Sequence, residues 1–239
     1  MSKLNLTLAG YFMYGFDEDV LWAKHPPQAP PAACHRSNKQ MQFMKPGRYT
    51  DRMKTLANWL KTLSSDGKPD VVIASVVLWE LYSSEEILAQ AKKPAPNPPV
   101  LEHEFVEAHM TKLQKHLGTI SKLLPKSTPM IWRQSHQPHE RPTYFDPGHP
   151  KNPGGDRARF HPVKVRMVNE AARAVLWQFD GERKMEGAVG MEIWNIGDAT
   201  MPWHPTKWLG DKIHPKDKMA VWVCGEAWLE FLGTTKMRP

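Results

Sequence analysis

The chain predicts an α/β fold, a three-layer α/β/α sandwich around a mostly parallel central sheet. Three observations carry this. Short apolar runs rich in β-branched residues recur at Pro69–Trp79, Thr128–Trp132 and Val189–Trp194. The first of them is unbroken rather than alternating, as a central strand covered on both faces is. Between them lie long segments with helical apolar spacing, the arrangement that joins parallel strands by crossover helices.

Taken in order, Leu4 to Phe12 reads as an early buried strand, followed by a proline-rich surface loop at residues 26–33. Thr50 is a plausible N-cap for a helix carrying Met53, Leu56, Ala57, Leu60 and Leu63 at i, i+3, i+4, i+7 spacing. The strand at Pro69–Trp79 follows, then a second proline-rich loop at residues 92–99. Glu102 to Leu124 predicts a long helix with Phe105, Val106, Met110, Leu113, Leu117, Ile120 and Leu124 inward. After the strand ending at Trp132, residues 133–161 form a long polar loop rich in Pro, Gly and His. Val163 to Phe179 is a further helix, with Val165, Val168, Ala172, Val175, Leu176 and Phe179 buried. A loop from Asn195 to Pro215 leads to a final helix, Lys216 to Leu232. No internal repeat or second domain is read, so residues 1–239 are expected to form one domain.

A net charge of +7, from 32 Lys and Arg against 25 Asp and Glu, favours acidic partners. The positive residues are scattered, however. The tightest groups, Lys212/Lys216/Lys218 and Arg157/Arg159/Lys164/Arg166, lack aromatic interleaving, so a solvated surface is expected rather than a nucleic-acid interface. The two cysteines, Cys34 and Cys224, are neither a disulfide framework nor spaced as metal ligands. No run approaches the roughly 20 apolar residues that span a bilayer, and the first residues hold too short an apolar stretch for a signal peptide. The chain as written reads as cytoplasmic, with the secretory pathway open if a segment precedes it.

Ligands of open parallel sheets bind beyond the carboxyl ends of the strands. Those places are Trp79-Glu80, Arg133 to His139, and Asn195 to His214. In the last, Asp211 stands three residues before His214 at the entrance to the final helix. An Asp so placed can orient the imidazole through Nδ1–H and leave the ring free as a general base; the same spacing also occurs as an N-cap beside a surface histidine. Arg133, directly after a strand, suits recognition of a carboxylate or sugar. Trp203 and Trp208, on a proline-rich loop, could stack on a sugar ring, whereas Trp194 reads as core. His136, His139, His149 and His161, with Asp146 and Asp156, match no zinc spacing. A solvated or substrate-contacting loop is expected there, with no metal.

Asp211-Lys212-Ile213-His214-Pro215 opening the last helix resembles the closing motif of the SGNH (GDSL-type) hydrolases. Pro69–Ile73 with Leu78-Trp79-Glu80-Leu81 is similar to the strand and Gly-Leu-Trp-Asp-Leu block of their PC-esterase branch, which includes glycan O-acyltransferases. Ile131-Trp132-Arg133 through Pro138-His139, with Gly154-Gly155 downstream, resembles that branch's Trp-Arg…Pro-His segment. The likeness runs in order over about residues 4–232. It implies an SGNH-like esterase or acyltransferase acting on a small-molecule or glycan ester without a cofactor. His214 would be the base, Asp211 its partner, and Arg133, His139, Trp79, Glu80 and Trp203 would line the substrate cleft. Two departures stand out. The Gly-Asp-Ser block that supplies the family's nucleophile is not found, and Val77 occupies the place of the oxyanion glycine. The Ser75 position reads as a core serine inside a strand; Ser37 and Ser135 lie on loops without the tight glycine turn that exposes a nucleophile. An inactive ligand-binding relative is therefore the alternative expectation.

Overall fold

In the computed structural model the described residues are Phe16 and residues 48–63, 69–75, 80–81, 100–136, 161–200 and 209. The chain divides into two units, Met1–Pro69 and Asp70–Pro239. In the first, α1 spans Tyr49–Leu63. Its buried side is Tyr49, Arg52, Met53, Leu56 and Leu60, a single helical stripe. The Arg52 guanidinium lies over the Tyr49 ring, 6.0 Å from its centroid. Thr50 falls inside this helix instead of capping it, because the Arg48 carbonyl already accepts from the Asp51 and Arg52 N–H groups.

The second unit runs β1 (Val72–Ala74), α2 (His103–Leu123), β2 (Met130–Arg133), α3 (Pro162–Met185), β3 (Met191–Trp194) and α4 (Ile196–Thr200). The strands form a parallel sheet in the order β1-β2-β3, with Ala74 opposite Trp132 and Arg133 opposite Trp194. It is an α/β fold with a parallel sheet. Helices α2 and α3 pack on each other, so both crossovers lie on one face of the sheet. Side chains alternate along each strand. Ala74, Met130, Trp132 and Met191 share a closed face; the opposite face buries Ile131 and Trp194 but leaves Ile73 and Glu192 exposed at its flanks.

Helix α2 differs from its expected stripe. Leu113, Leu117, Ile120 and Leu124 are buried as the spacing predicts, but so are His109 and His116. Phe105, Val106 and Met110 are only half-buried. Val106 and Met110 instead line an apolar groove of about 380 Å³ together with Val163, Met167 and Ala171 of α3. The inward stripe is thus turned toward 109, 113 and 116, a rotation that apolar periodicity alone does not show.

Helix α3 runs six residues past Phe179 because its buried stripe continues through Arg183, a residue that apolar spacing does not count as core. His161 starts the helix by accepting from the Val163 N–H, and Pro162 takes the first turn, where its missing N–H costs nothing. Gly187, at φ +72, ends it in the left-handed region. Arg183 ties together the amino end of the sheet. Its Nε donates to Val189 O (3.0 Å), Nη2 to Thr128 O (3.3 Å) and Nη1 to Ser121 Oγ, so one guanidinium joins the end of α2 to the entries of β2 and β3. Burial lowers its pKa, against the pull of Asp180 and Glu186. Asp180 also accepts from the Met191 N–H at 2.7 Å, which fixes the start of β3. Part of the loop expected after Trp194 is in fact the short helix α4. The expected strand at Leu4–Phe12, the proline-rich loops and the final helix lie outside the described residues.

Candidate functional site at the carboxyl edge of the sheet

The polar loop expected from Arg133 onward begins inside the protein. Gln134 is fully buried, and Ser135 and His136 are only 4% and 6% exposed. Burying three polar residues after a strand requires partners for their backbone, and these come from α3 and β3. The Gln134 N–H donates to Trp194 O at 3.1 Å, one rung beyond the strand ladder. At the next residue, Asn169 replaces a neighbouring strand. Its Oδ1 accepts from the Ser135 N–H (3.2 Å) and its Nδ2 donates to Ser135 O (2.9 Å). A primary carboxamide presents one acceptor and one donor side by side, as a peptide does.

Gly197, in the first turn of α4, closes over this rung. A Cβ there would stand 2.7 Å from both Ser135 O and Asn169 Nδ2, so only glycine permits the approach. One helical turn beyond Asn169, Arg173 binds the loops after both strands. Its Nη2 donates to Asn195 Oδ1 at 2.9 Å and to Asp198 Oδ2, and Glu170 adds an ion pair at 3.5 Å. The Gln134 carboxamide, oriented to satisfy both its ends, accepts from Arg173 Nε (2.8 Å) and donates to Asn195 Oδ1. Burial opposes ionisation of Asp198. Hydrogen bonds from Arg173 and Asn195, with the positive charges of Arg173 and Arg166, outweigh it and hold this carboxyl below its ordinary value.

Arg133 is half-buried beside this frame, its guanidinium 5.7 Å from the centre of the buried Trp194 ring. Glu80, expected to face a cleft, is 1% exposed; its Oε2 lies 3.8 Å from Nδ1 of the equally buried His109, against which Phe105 stacks. Ser75, expected in the core, is exposed, directly after β1 and two residues from the likewise exposed Ile73. Asp211, His214, His139, Trp79 and Trp203 lie outside the described residues, so Arg133 and Glu80 are the predicted site residues whose surroundings are described. Asn169, Arg173, Gly197 and Asp198 escaped the sequence reading. One signal for them was present: Asn169 interrupts the buried stripe between Val168 and Ala172, where a short polar side chain is unfavourable unless it bonds across the core. Among the described residues no group of three or more His, Cys, Asp or Glu could hold a metal ion, and no helix is long and apolar enough to cross a membrane.

No family model matches the chain, and no curated protein matches it significantly. Among solved structures the chain is similar to LAE5, an α/β hydrolase enzyme from the metagenome of Lake Arreo, Spain. The two are 14% identical, over 76% of this chain and 67% of that one, with a TM-score of 0.41. A likeness at that level leaves the assignment to the chain's own strands and helices, which make it a parallel α/β protein with a polar, buried carboxyl edge.

Proposed function

We propose that the chain is an acyl-ester hydrolase or O-acyltransferase of the SGNH-like, three-layer kind, working at the carboxyl edge of its sheet on a hydroxylated substrate such as a glycan ester. The observation that carries this reading is the frame of buried polar groups there: Gln134, Ser135 and Asn169, braced by Arg173. A parallel α/β protein places its chemistry at that edge, and burying amides in a core is costly unless a fixed geometry is kept. The motif Asp211-x-x-His214 supplies the base and the carboxylate that orients it. In this reading His214 takes the proton of a nucleophilic hydroxyl and returns it to the leaving alcohol, while Arg133 binds substrate.

The reading is tested by intact-mass analysis after treatment with a fluorophosphonate, which loses fluoride as an activated hydroxyl bonds to its phosphorus. One adduct is expected on the native chain and none on His214→Ala. Absence of any adduct would replace this reading by that of a ligand-binding relative, which Val77 at the glycine position of the resembled block also favours.

A further inference from the structure

The sheet brings one reactive group into view that its sequence position conceals. β1 pairs with β2 through Val72–Met130, Ile73–Ile131 and Ala74–Trp132. One step further along this parallel register, Ser75 stands level with Arg133, and Arg133 is itself paired with Trp194. Ser75, Arg133 and Trp194 therefore form one row across the carboxyl ends of all three described strands. Two described hydroxyls follow a strand within two residues, and they differ in access. Ser135, after β2, is buried and its peptide is held on both sides by Asn169. Ser75, after β1, is exposed. The remaining described serines lie toward the other end of the sheet: Ser121 bonds the Arg183 guanidinium, and Ser127 belongs to the turn entering β2.

A nucleophile in a parallel α/β protein needs what Ser75 combines: a place at the carboxyl edge, an open approach for substrate, and a rigid strand that fixes its Cα. Arg133, level with Ser75 on the neighbouring strand and half-buried over the Trp194 ring, adds a cation suited to a hydroxylated or anionic ester. We infer that Ser75 is the nucleophilic serine of this chain, in place of the family's Gly-Asp-Ser serine.

This assignment rests on the hydrolase reading above. In the step it implies, Ser75 Oγ bonds to the acyl carbon as its proton passes to the base. The ester C–O bond then breaks and the departing alkoxide takes that proton, leaving an acyl-serine. Water, or a sugar hydroxyl, then bonds to the same carbon and gives its proton to the base; the bond from that carbon to Ser75 Oγ breaks, Oγ takes the proton back, and a carboxylic acid or a new ester leaves.

The test uses the full chain, Ser75→Ala and the fluorophosphonate probe, with peptide mapping of any adduct. An exposed Ser→Ala change alters stability by less than about 0.5 kcal/mol, so loss of labelling cannot be charged to unfolding, and a thermal melt checks this. The assignment expects one adduct, mapped to the peptide containing Ser75, and at least about a hundredfold less of it in Ser75→Ala. An adduct on another residue that persists in Ser75→Ala overturns the assignment while leaving the hydrolase reading intact. No adduct on the native chain overturns both.

Discussion

Replacing Arg183 with alanine is expected to cost about 3 kcal/mol, the largest stability loss of any single change considered for the sheet-bearing unit. The guanidinium is 2% exposed and donates to two carbonyls and one hydroxyl from three different segments. Hydrogen bonds from a charged donor contribute roughly 1.5–3 kcal/mol each, and a buried acceptor left unpaired costs about 1–3 kcal/mol. Thr128 O is the buried acceptor here; Val189, at 40% exposed, can turn partly to water and so limits the total. Lost packing of the aliphatic stem adds to it. For a unit of this size, about 3 kcal/mol corresponds to a fall in Tm of roughly 6–12 °C. Arg183→Met keeps the stem and removes the buried charge, so it should recover part of the loss. Urea denaturation of the three proteins checks this; a cost below about 1 kcal/mol for Arg183→Ala would mean the guanidinium does not hold the amino end of the sheet.

Gly197→Ala should act at the opposite end, costing about 2 kcal/mol. The new Cβ would meet Ser135 O and Asn169 Nδ2, each 2.7 Å away. One is backbone, and the other is held by its own hydrogen bond, so neither can swing aside as the tip of a flexible side chain would. Overpacking of this kind costs typically 1–3 kcal/mol. Its signature is local. Hydrogen exchange at the Ser135 amide should speed up, because the displaced Asn169 no longer accepts from it, while amides in the middle of α2 stay protected. Equal loosening of both, or of neither, would show that Gly197 does not close the carboxyl-edge frame.

The two ends of the sheet also show what the amino-acid order discloses. The three strands were legible because runs such as Val71-Val72-Ile73 and Met130-Ile131-Trp132 are apolar and unbroken, and both crossover helices were legible from their spacing. What stayed hidden are polar residues doing core work. Arg183 extends α3 and His109 and His116 turn α2, yet apolar periodicity counts none of them as inward. Asn169 serves Ser135 from 34 residues away, and Arg173 serves Asn195 from 22, so neither partner is visible locally. Ser75 was misplaced for a different reason. The apolar run reads on through Val76 to Trp79, which puts Ser75 in mid-strand, whereas the described pairing of β1 with β2 covers Val72 to Ala74 and leaves Ser75 at its end.

Base-assisted ester cleavage, as proposed for this edge, is decided by following 4-nitrophenyl acetate hydrolysis across pH for the native chain and for His214→Ala. The native chain is expected to hydrolyse the ester faster than buffer, with a rate that rises as the base loses its proton, and His214→Ala is expected to lose that rise. Identical profiles for the two proteins, no faster than buffer alone, would contradict it.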